Sequence, residues 1–523
     1  MNDERRLILA GVLSLVVLLA WYRFLAPKQA PGGATPPPPS SSLPVTPPVS
    51  QAVSQGSEGR FDLTGELTTV ESEQVSWEFS SSGGRLNKAF LKKYPPTDLV
   101  RSRQDDPLSL LCLGCNFSLP PDGNYRLVSR QDGEVRYEAP GAGVRVSKSY
   151  HFAPDSGYLF EVRYVIQNSS GQSMTGQVGL SWKGAQPPKT PAAFFGLLKK
   201  PEDRRKFVYR LESKVQHAGD GDLSGPISWA GIEERYFLMA LVNRRVSSDS
   251  RLQMSSAGEE VRLTLLPGRV GIGPGGRHEE TFTVYVGPKE RDTMAQVGGG
   301  LEKSVDFGFF SFFATPILWL LVLFHSFVRN WGIAIVLLTI IVKILLNPLS
   351  VKSLRQMKEM QKLQPKLAAL KEKYKEDRQR LNMETMQIFK DHKVNPLGGC
   401  LPMLVQLPIY IALYNVLYNA IELYRAPFVW FYRDLSAPDP YFVLPALMGI
   451  FMVLQQKMTP ATSADPVQRQ MMMFMPVLFS VFMIFLPAGL TLYFFVNTVM
   501  TVIQQYLFQR DIRLASLVRR LRA

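Results

Sequence analysis

Three cysteines in 523 residues, Cys112, Cys115 and Cys400, are too few to staple a scaffold. His151, His217 and His278 stand at no metal-ligand spacing, and the chain carries no zinc motif, phosphate loop or nucleophile elbow. These absences argue against an enzyme and against any metal or cofactor. Cys112-Leu-Gly-Cys115 has redox spacing but no βαβ context, and the spacing leaves open whether the two pair. Acidic residues are also short, 44 against 59 basic, for a net charge of +15.

That excess is localised. Residues 350–396 carry about +6 and residues 509–523 about +4, each beside an apolar stretch. Cytoplasmic loops look like this under the positive-inside rule.

Leu7 to Tyr22 is apolar and flanked by Arg5, Arg6 and Arg23, with no convincing small-x-small site after it. An uncleaved signal-anchor span over 1–25 with a cytoplasmic N-terminus is favoured over a cleaved signal. Residues 26–58 are rich in Pro and Ser, a spacer that cannot bury a core. Over 59–300 the period is two. Phe160, Val162, Tyr164 and Ile166 share a face, as do Val178, Leu180 and Trp182, then Val261, Leu263 and Leu265, then Phe282, Val284 and Val286. Turn pairs such as Asp122-Gly123 and Ser170-Gly171 punctuate these strands, so a large β-sandwich outside the cytoplasm is expected.

Phe307 to Val328 is apolar, but the next apolar stretch follows at once. An interfacial helix over 301–329 fits better than a span. Spans are expected at Trp331–Leu349, Leu401–Leu423, Tyr441–Gln456, Met471–Leu486 and Leu490–Phe508. As one helix the last two would run about 57 Å, so Pro487-Ala-Gly489 must turn the chain. With the anchor this makes six spans and a cytoplasmic C-terminus. Two spans of about sixteen residues suggest a locally thinned bilayer.

Between the first two of these five spans, Leu354, Met357, Met360, Leu363, Leu367, Leu370 and Tyr374 form one apolar helical face. Met383, Met386 and Phe389 follow a polar break, so 350–396 reads as an antiparallel helical hairpin. It is either a docking surface or a solvated positive-inside loop. Lys343 is the single charge inside its span. It either snorkels to the inner interface or sits in a wet cavity. Thr339, Gln406, Asn415, Asn419, Asn497, Thr498, Gln504 and Gln505 favour the cavity, and no intramembrane acid stands out as its partner. Cys400 reads as a small packing residue.

Asn330-Trp-Gly332, Leu363-Gln-Pro-Lys366, Asn395-Pro-Leu-Gly-Gly-Cys400, Gln406-Leu-Pro408, Asp434-Leu-Ser436, Asp439-Pro440, Phe474-Met-Pro476 and Pro487-Ala-Gly489 occur in order across 305–508. They resemble the YidC/Oxa/Alb family of membrane protein insertases in its Gram-negative form. The resemblance implies an α-helical polytopic membrane protein, a signal-anchor span plus a five-span insertase core over 330–508, with a large periplasmic all-β supersandwich. It implies a substrate groove with Lys343 and Thr339, its path lined by Tyr410, Met448, Phe482 and Phe494; Gln406 from the polar set and the neighbouring Tyr493 are placed in the same groove. Relatives often have Arg where this chain has Lys343, so the charge is kept and the fork is not. Lys362, Lys366, Lys371, Lys373, Asp465, Arg519 and Arg520 match regions implicated in ribosome or nascent-chain contact. The implied partners are nascent membrane proteins, Sec translocon components, the ribosome and the phospholipid bilayer of the cell inner membrane. A chaperone role in folding goes with them. The alternatives are an ion- or solute-coupled transporter using Lys343 and a tethered carbohydrate enzyme. The chain shows neither the internal repeat nor the paired intramembrane charges common in transporters.

Overall fold

The computed structural model describes residues 65–94, 97–100, 106–131, 133–153, 157–186, 205–305, 307, 310–375, 377–392, 394, 401–429, 431–458 and 466–510. The expected anchor span and linker, the 395–400 motif, Asp465, and the tail beyond Arg510 with Arg519 and Arg520 lie outside the described residues. A β-sheet unit ends at Val305 and a helical unit follows it.

The β unit holds three antiparallel sheets. Leu67–Glu71, Val75–Ser80, Arg85–Leu91 and Thr97–Asp98 make a four-stranded one. A nine-stranded sheet has Phe237–Asn243, Arg277–Pro288, Leu159–Asn168 and Val144–His151 as consecutive neighbours at its centre. A six-stranded sheet is built on Met174–Ala185, which pairs with Glu260–Leu266 on one side and Asp106–Leu113 on the other. The period-two faces behave as expected. Phe160, Val162, Tyr164 and Ile166 are buried, as are Val178, Leu180, Trp182, Val261, Leu263 and Leu265. Alternate residues of a strand point to one face, so each of these sets closes on the sandwich interior. The Tyr164 hydroxyl crosses between the two large sheets to donate to the Val178 carbonyl at 2.8 Å.

One buried cation ties all three sheets. Lys148 has the same strand parity as Val144, Val146 and Tyr150 and is fully buried. Its Nζ donates to the Gly83 carbonyl at 3.0 Å and the Leu108 carbonyl at 2.7 Å, and lies 5.7 Å from the Tyr125 ring centre. Gly83 at φ 72° and Leu108 at φ 67° have left-handed backbones, and the carbonyls of both meet the ammonium. Burial pushes Lys148 down to about 7, opposed by Asp122 and Asp106 and reinforced by Arg85. Cys112 and Cys115 are joined by a disulfide at the end of the edge strand Asp106–Leu113.

The helical unit contains α1 (Ser311–Val328), α2 (Trp331–Lys373), α3 (Arg378–Asp391), α4 (Leu401–Asn419), α5 (Val443–Met458), α6 (Pro466–Met483) and α7 (Ala488–Gln509). Among the described residues α1 and α2 are long and apolar enough to cross a membrane. Arg329 at φ 51° and Asn330 alone separate them. Asn330 caps α2, accepting from the Ile333 N–H at 3.0 Å, while its amide donates to the Phe428 carbonyl at 2.9 Å. Gly332 admits the Phe428 ring, which a Cβ would meet at 2.0 Å.

The expected span Trp331–Leu349 and the first arm of the hairpin are one helix of 43 residues. At 1.5 Å per residue it is about 64 Å long, roughly twice a hydrocarbon core. Pro348 and Pro365 lie inside it without ending it. The second arm is α3, capped by Asp377, whose carboxylate accepts from the Arg380 N–H at 2.9 Å. Met360, Leu363 and Val394 form the core between the arms, with Leu367, Ile388 and Phe389 against it. Met383 and Met386, expected on that face, are exposed, because α3 meets α2 through its C-terminal turn.

Candidate functional site

Several polar residues of the expected spans gather where α2 and α4 face α7, whereas Asn415 donates to the Phe307 carbonyl at 2.9 Å and Asn419 to the Asn415 carbonyl at 3.0 Å, apart from that seam. Along α7, Asn497, Thr498, Thr501, Gln504 and Gln505 recur at helical spacing, so one stripe of this apolar helix is hydrophilic. Lys343 of α2 is half-buried, and its Nζ donates to the Thr501 hydroxyl at 2.8 Å. Thr501 in turn donates to the Asn497 carbonyl at 2.7 Å. One turn along α2, the Asn347 side-chain Oδ1 accepts from the Gln504 side-chain amide at 2.7 Å. On the α4 side, Gln406 donates to the Asn497 side chain at 3.3 Å, and Asn497 donates to the Tyr410 hydroxyl at 2.9 Å. Among the described residues no carboxylate pairs with Lys343, and Thr501 is its hydrogen-bond partner.

Aromatic rings continue the seam. Tyr410 packs on Phe494 at 5.2 Å and on Tyr493 at 6.1 Å between ring centres. Phe479 of α6 links Phe494, at 5.6 Å, to Phe482, at 6.5 Å. Polar heads therefore sit beside a broad apolar surface, an arrangement that can hold a charged or amide-bearing segment and its apolar neighbours together.

The sequence-derived residues divide. Lys343, Gln406, Tyr410, Tyr493, Phe494 and, through Phe479, Phe482 come together. Thr339 is fully buried, with its hydroxyl turned to the Ile335 carbonyl at 2.7 Å. Met448 and Tyr493 are also fully buried and stand as wall, whereas Phe482 is 37% exposed. Thr501 and Asn347 were missed, although Asn497, Thr498, Gln504 and Gln505 already marked the stripe that Thr501 completes.

The hairpin lysines stand apart from this seam. Lys362 pairs with Glu359 at 2.6 Å, Lys366 Nζ lies 3.1 Å from His392 Nε2, and Lys371 and Lys373 are exposed. A cleft of about 110 Å³ opens between Leu354, Met357 and Lys358 of α2, Met458 of α5, and Phe508 and Gln509 of α7.

At the other end of these helices the loop before α5 is tied down. Asp439 is buried, and its carboxylate accepts from the Tyr441 and Leu444 N–H groups at 3.0 and 2.7 Å and from the Tyr432 hydroxyl at 3.0 Å. The N–H groups of Ala488 and Gly489 donate to the Ala437 and Leu435 carbonyls, fixing the α6–α7 turn to this loop. The Asp434-Leu-Ser436 and Asp439-Pro440 motifs are thus turn and cap chemistry.

The family described as the 60Kd inner membrane protein matches residues 323–515, and the one described as the YidC periplasmic domain matches 67–320. The chain is 37% identical over 457 residues to a membrane protein insertase YidC of Geobacter sulfurreducens, covering 84% of this chain and 85% of the relative. It is 34% identical over 536 residues to the protein of the same name from Geotalea daltonii, covering 96% and 98%. A solved structure, an active YidC insertase crystal structure with its first transmembrane domain resolved, is similar at 19% identity and TM-score 0.39. It covers 84% of this chain and 92% of that one.

Proposed function

The chain belongs to the family of YidC membrane protein insertases, and we propose that its α2–α4–α7 seam is the groove through which substrate segments enter the inner membrane. Its relatives are insertases, so the work is transfer without bond chemistry. A polar segment crossing hydrocarbon pays several kcal/mol for each unpaired group. A groove that offers hydrogen-bonding side chains halfway lowers that barrier. The observation that carries this reading is the Lys343 ammonium held on Thr501 with no resident counter-ion among the described residues. A positive charge kept without a counter-ion is available to an acidic segment of a substrate.

The hydrophobic route is lined by Tyr410, Phe482 and Phe494. α5 has 16 residues and is only about 24 Å long, short of a core of about 30 Å, which supports local thinning beside it. The β unit is the family's periplasmic domain. In the proposed layout six spans leave both termini in the cytoplasm and α1 lies at the outer interface. The α2–α3 hairpin, with Lys362, Lys366, Lys371 and Lys373, receives ribosomes and emerging chains there. Asp465, Arg519 and Arg520 contribute to that surface, and the Sec translocon is a partner for larger substrates.

Photocrosslinking from Gln406 and Phe482 to a stalled nascent chain tests the route. Adducts from both positions, with none from the outward-facing Trp319 of α1, are expected. Adducts from Trp319 alone would reject the groove.

A further inference from the structure

We infer that the Cys112–Cys115 disulfide of the β unit is a thiol–disulfide exchange site, and that it takes electrons from a cysteine pair in an extended polypeptide segment. The site needs nothing of the Lys343 groove.

A disulfide that staples a fold closes a long loop or joins segments that nothing else holds. This one closes a ring of only four residues, which removes little freedom from the unfolded chain. The segment it spans is already tied to the strand Met174–Ala185 at both ends. Cys112 is in register with Val178 and Leu113 with Gln177. Beyond Cys115, the Asn116 N–H donates to the Thr175 carbonyl at 3.1 Å and the Asn116 side-chain amide to the Ser173 carbonyl at 2.9 Å. Asn116 Oδ1 accepts from the Thr175 N–H at 2.7 Å. None of these bonds depends on the S–S bond.

The reduced pair has a place as well. Cys115 Sγ lies 3.9 Å from the Leu113 and Gln177 carbonyl oxygens, so a thiol there finds acceptors without moving. Gly176 leaves the slot for that sulfur, since a Cβ would meet it at 2.2 Å. Both cysteines are half-buried and the Gly114 between them is exposed, so the pair is not sealed in the core. The strand Asp106–Leu113 pairs with Met174–Ala185 on one side and, among the described residues, with no strand on the other. An extended chain can lie along that free edge beside Cys112.

In the exchange, one thiolate of the incoming pair attacks a sulfur of the disulfide and forms a mixed disulfide. The displaced sulfur leaves as thiolate and takes up the proton that the incoming thiol released. The second incoming thiolate then attacks the incoming sulfur of the mixed disulfide and frees the other cysteine. Two electrons and two protons pass to Cys112 and Cys115, and the incoming segment gains a disulfide. A second protein disulfide reoxidises the pair by the reverse steps.

The test uses the folded full chain carrying Cys400→Ser, mixed with an excess of an unstructured peptide that holds two reduced cysteines. Alkylation followed by mass measurement should show both Cys112 and Cys115 modified, with the fluorescence of Trp77, Trp182 and Trp229 unchanged. The same peptide with prolines beside its cysteines should react about tenfold more slowly, as expected for losing one or two backbone hydrogen bonds at the edge. The double variant Cys112→Ser, Cys115→Ser should unfold at the parent's midpoint. A disulfide that resists the peptide until the β unit is unfolded, or a double variant with a much lowered midpoint, would make the bond a staple and overturn the exchange site. Equal rates for the two peptides would overturn the extended polypeptide as its substrate.

Discussion

The Lys343 ammonium and the Thr501 hydroxyl meet at 2.8 Å across 158 positions of sequence, joining α2 to α7 at the polar stripe of the bundle. This contact makes a partnered, oriented group out of what would otherwise be a costly charge in hydrocarbon. It also sets the register of α2 against α7, since Asn347 and Gln504 pair one turn further along.

Gly332 should tolerate no side chain. A Cβ there would lie 2.0 Å from the Phe428 ring, so Gly332→Ala is expected to destabilise the helical unit by about 1–3 kcal/mol. Adding Phe428→Ala should recover part of that loss, measured as unfolding midpoints in detergent. A Gly332→Ala protein as stable as the parent would show that the two are not in contact.

Asp439 caps α5 and ties its loop. Asp439→Ala should cost about 1–2 kcal/mol and speed hydrogen exchange at Tyr441 and Leu444, and Asp439→Asn should recover only part of that loss, because both carboxylate oxygens accept here and one of them becomes an amide nitrogen facing a donor. Equal exchange in all three proteins would remove the cap from the account.

What could be read beforehand depended on whether the signal was local. Phe160 to Ile166 and Leu354 to Tyr374 announce their faces by spacing alone; the first is buried throughout, and of the second Met360, Leu363 and Leu367 enter the hairpin core while Leu354 and Met357 line a cleft against α5 and α7. Continuity of α2 was harder, because Pro348 reads as a helix end. It deletes one hydrogen bond, and here the helix runs through it. Met383 and Met386 had the right period, but how far α3 lies along α2 is a tertiary choice that leaves them in solvent. The Lys343–Thr501 pairing has no local signature at all. Lys148 did have one: a lysine in register with Val144, Val146 and Tyr150 on a buried strand face.

Lys148 should make the β unit's stability depend on pH. Its folded value of about 7 lies below the ordinary lysine value of 10.5, so the unfolded chain binds more protons between the two. Stability contributed at this position is therefore lowest below about pH 7 and rises towards pH 10. Unfolding of the full chain, followed by the fluorescence of Trp77, Trp182 and Trp229, should show that upward slope. Lys148→Met should flatten it and, by stranding the Gly83 and Leu108 carbonyls, cost about 1–3 kcal/mol near pH 9. An unchanged slope would place the titration elsewhere.

The most direct measurement is the insertion rate of a substrate with an acidic translocated tail into proteoliposomes holding the full chain, with Lys343 as parent, Lys343→Arg, Lys343→Ala or Lys343→Glu. The account predicts that Lys343→Arg matches the parent, that Lys343→Ala is slower, and that Lys343→Glu is slower still, with a neutral-tailed substrate far less affected. Equal rates for the acidic tail across all four proteins would contradict it.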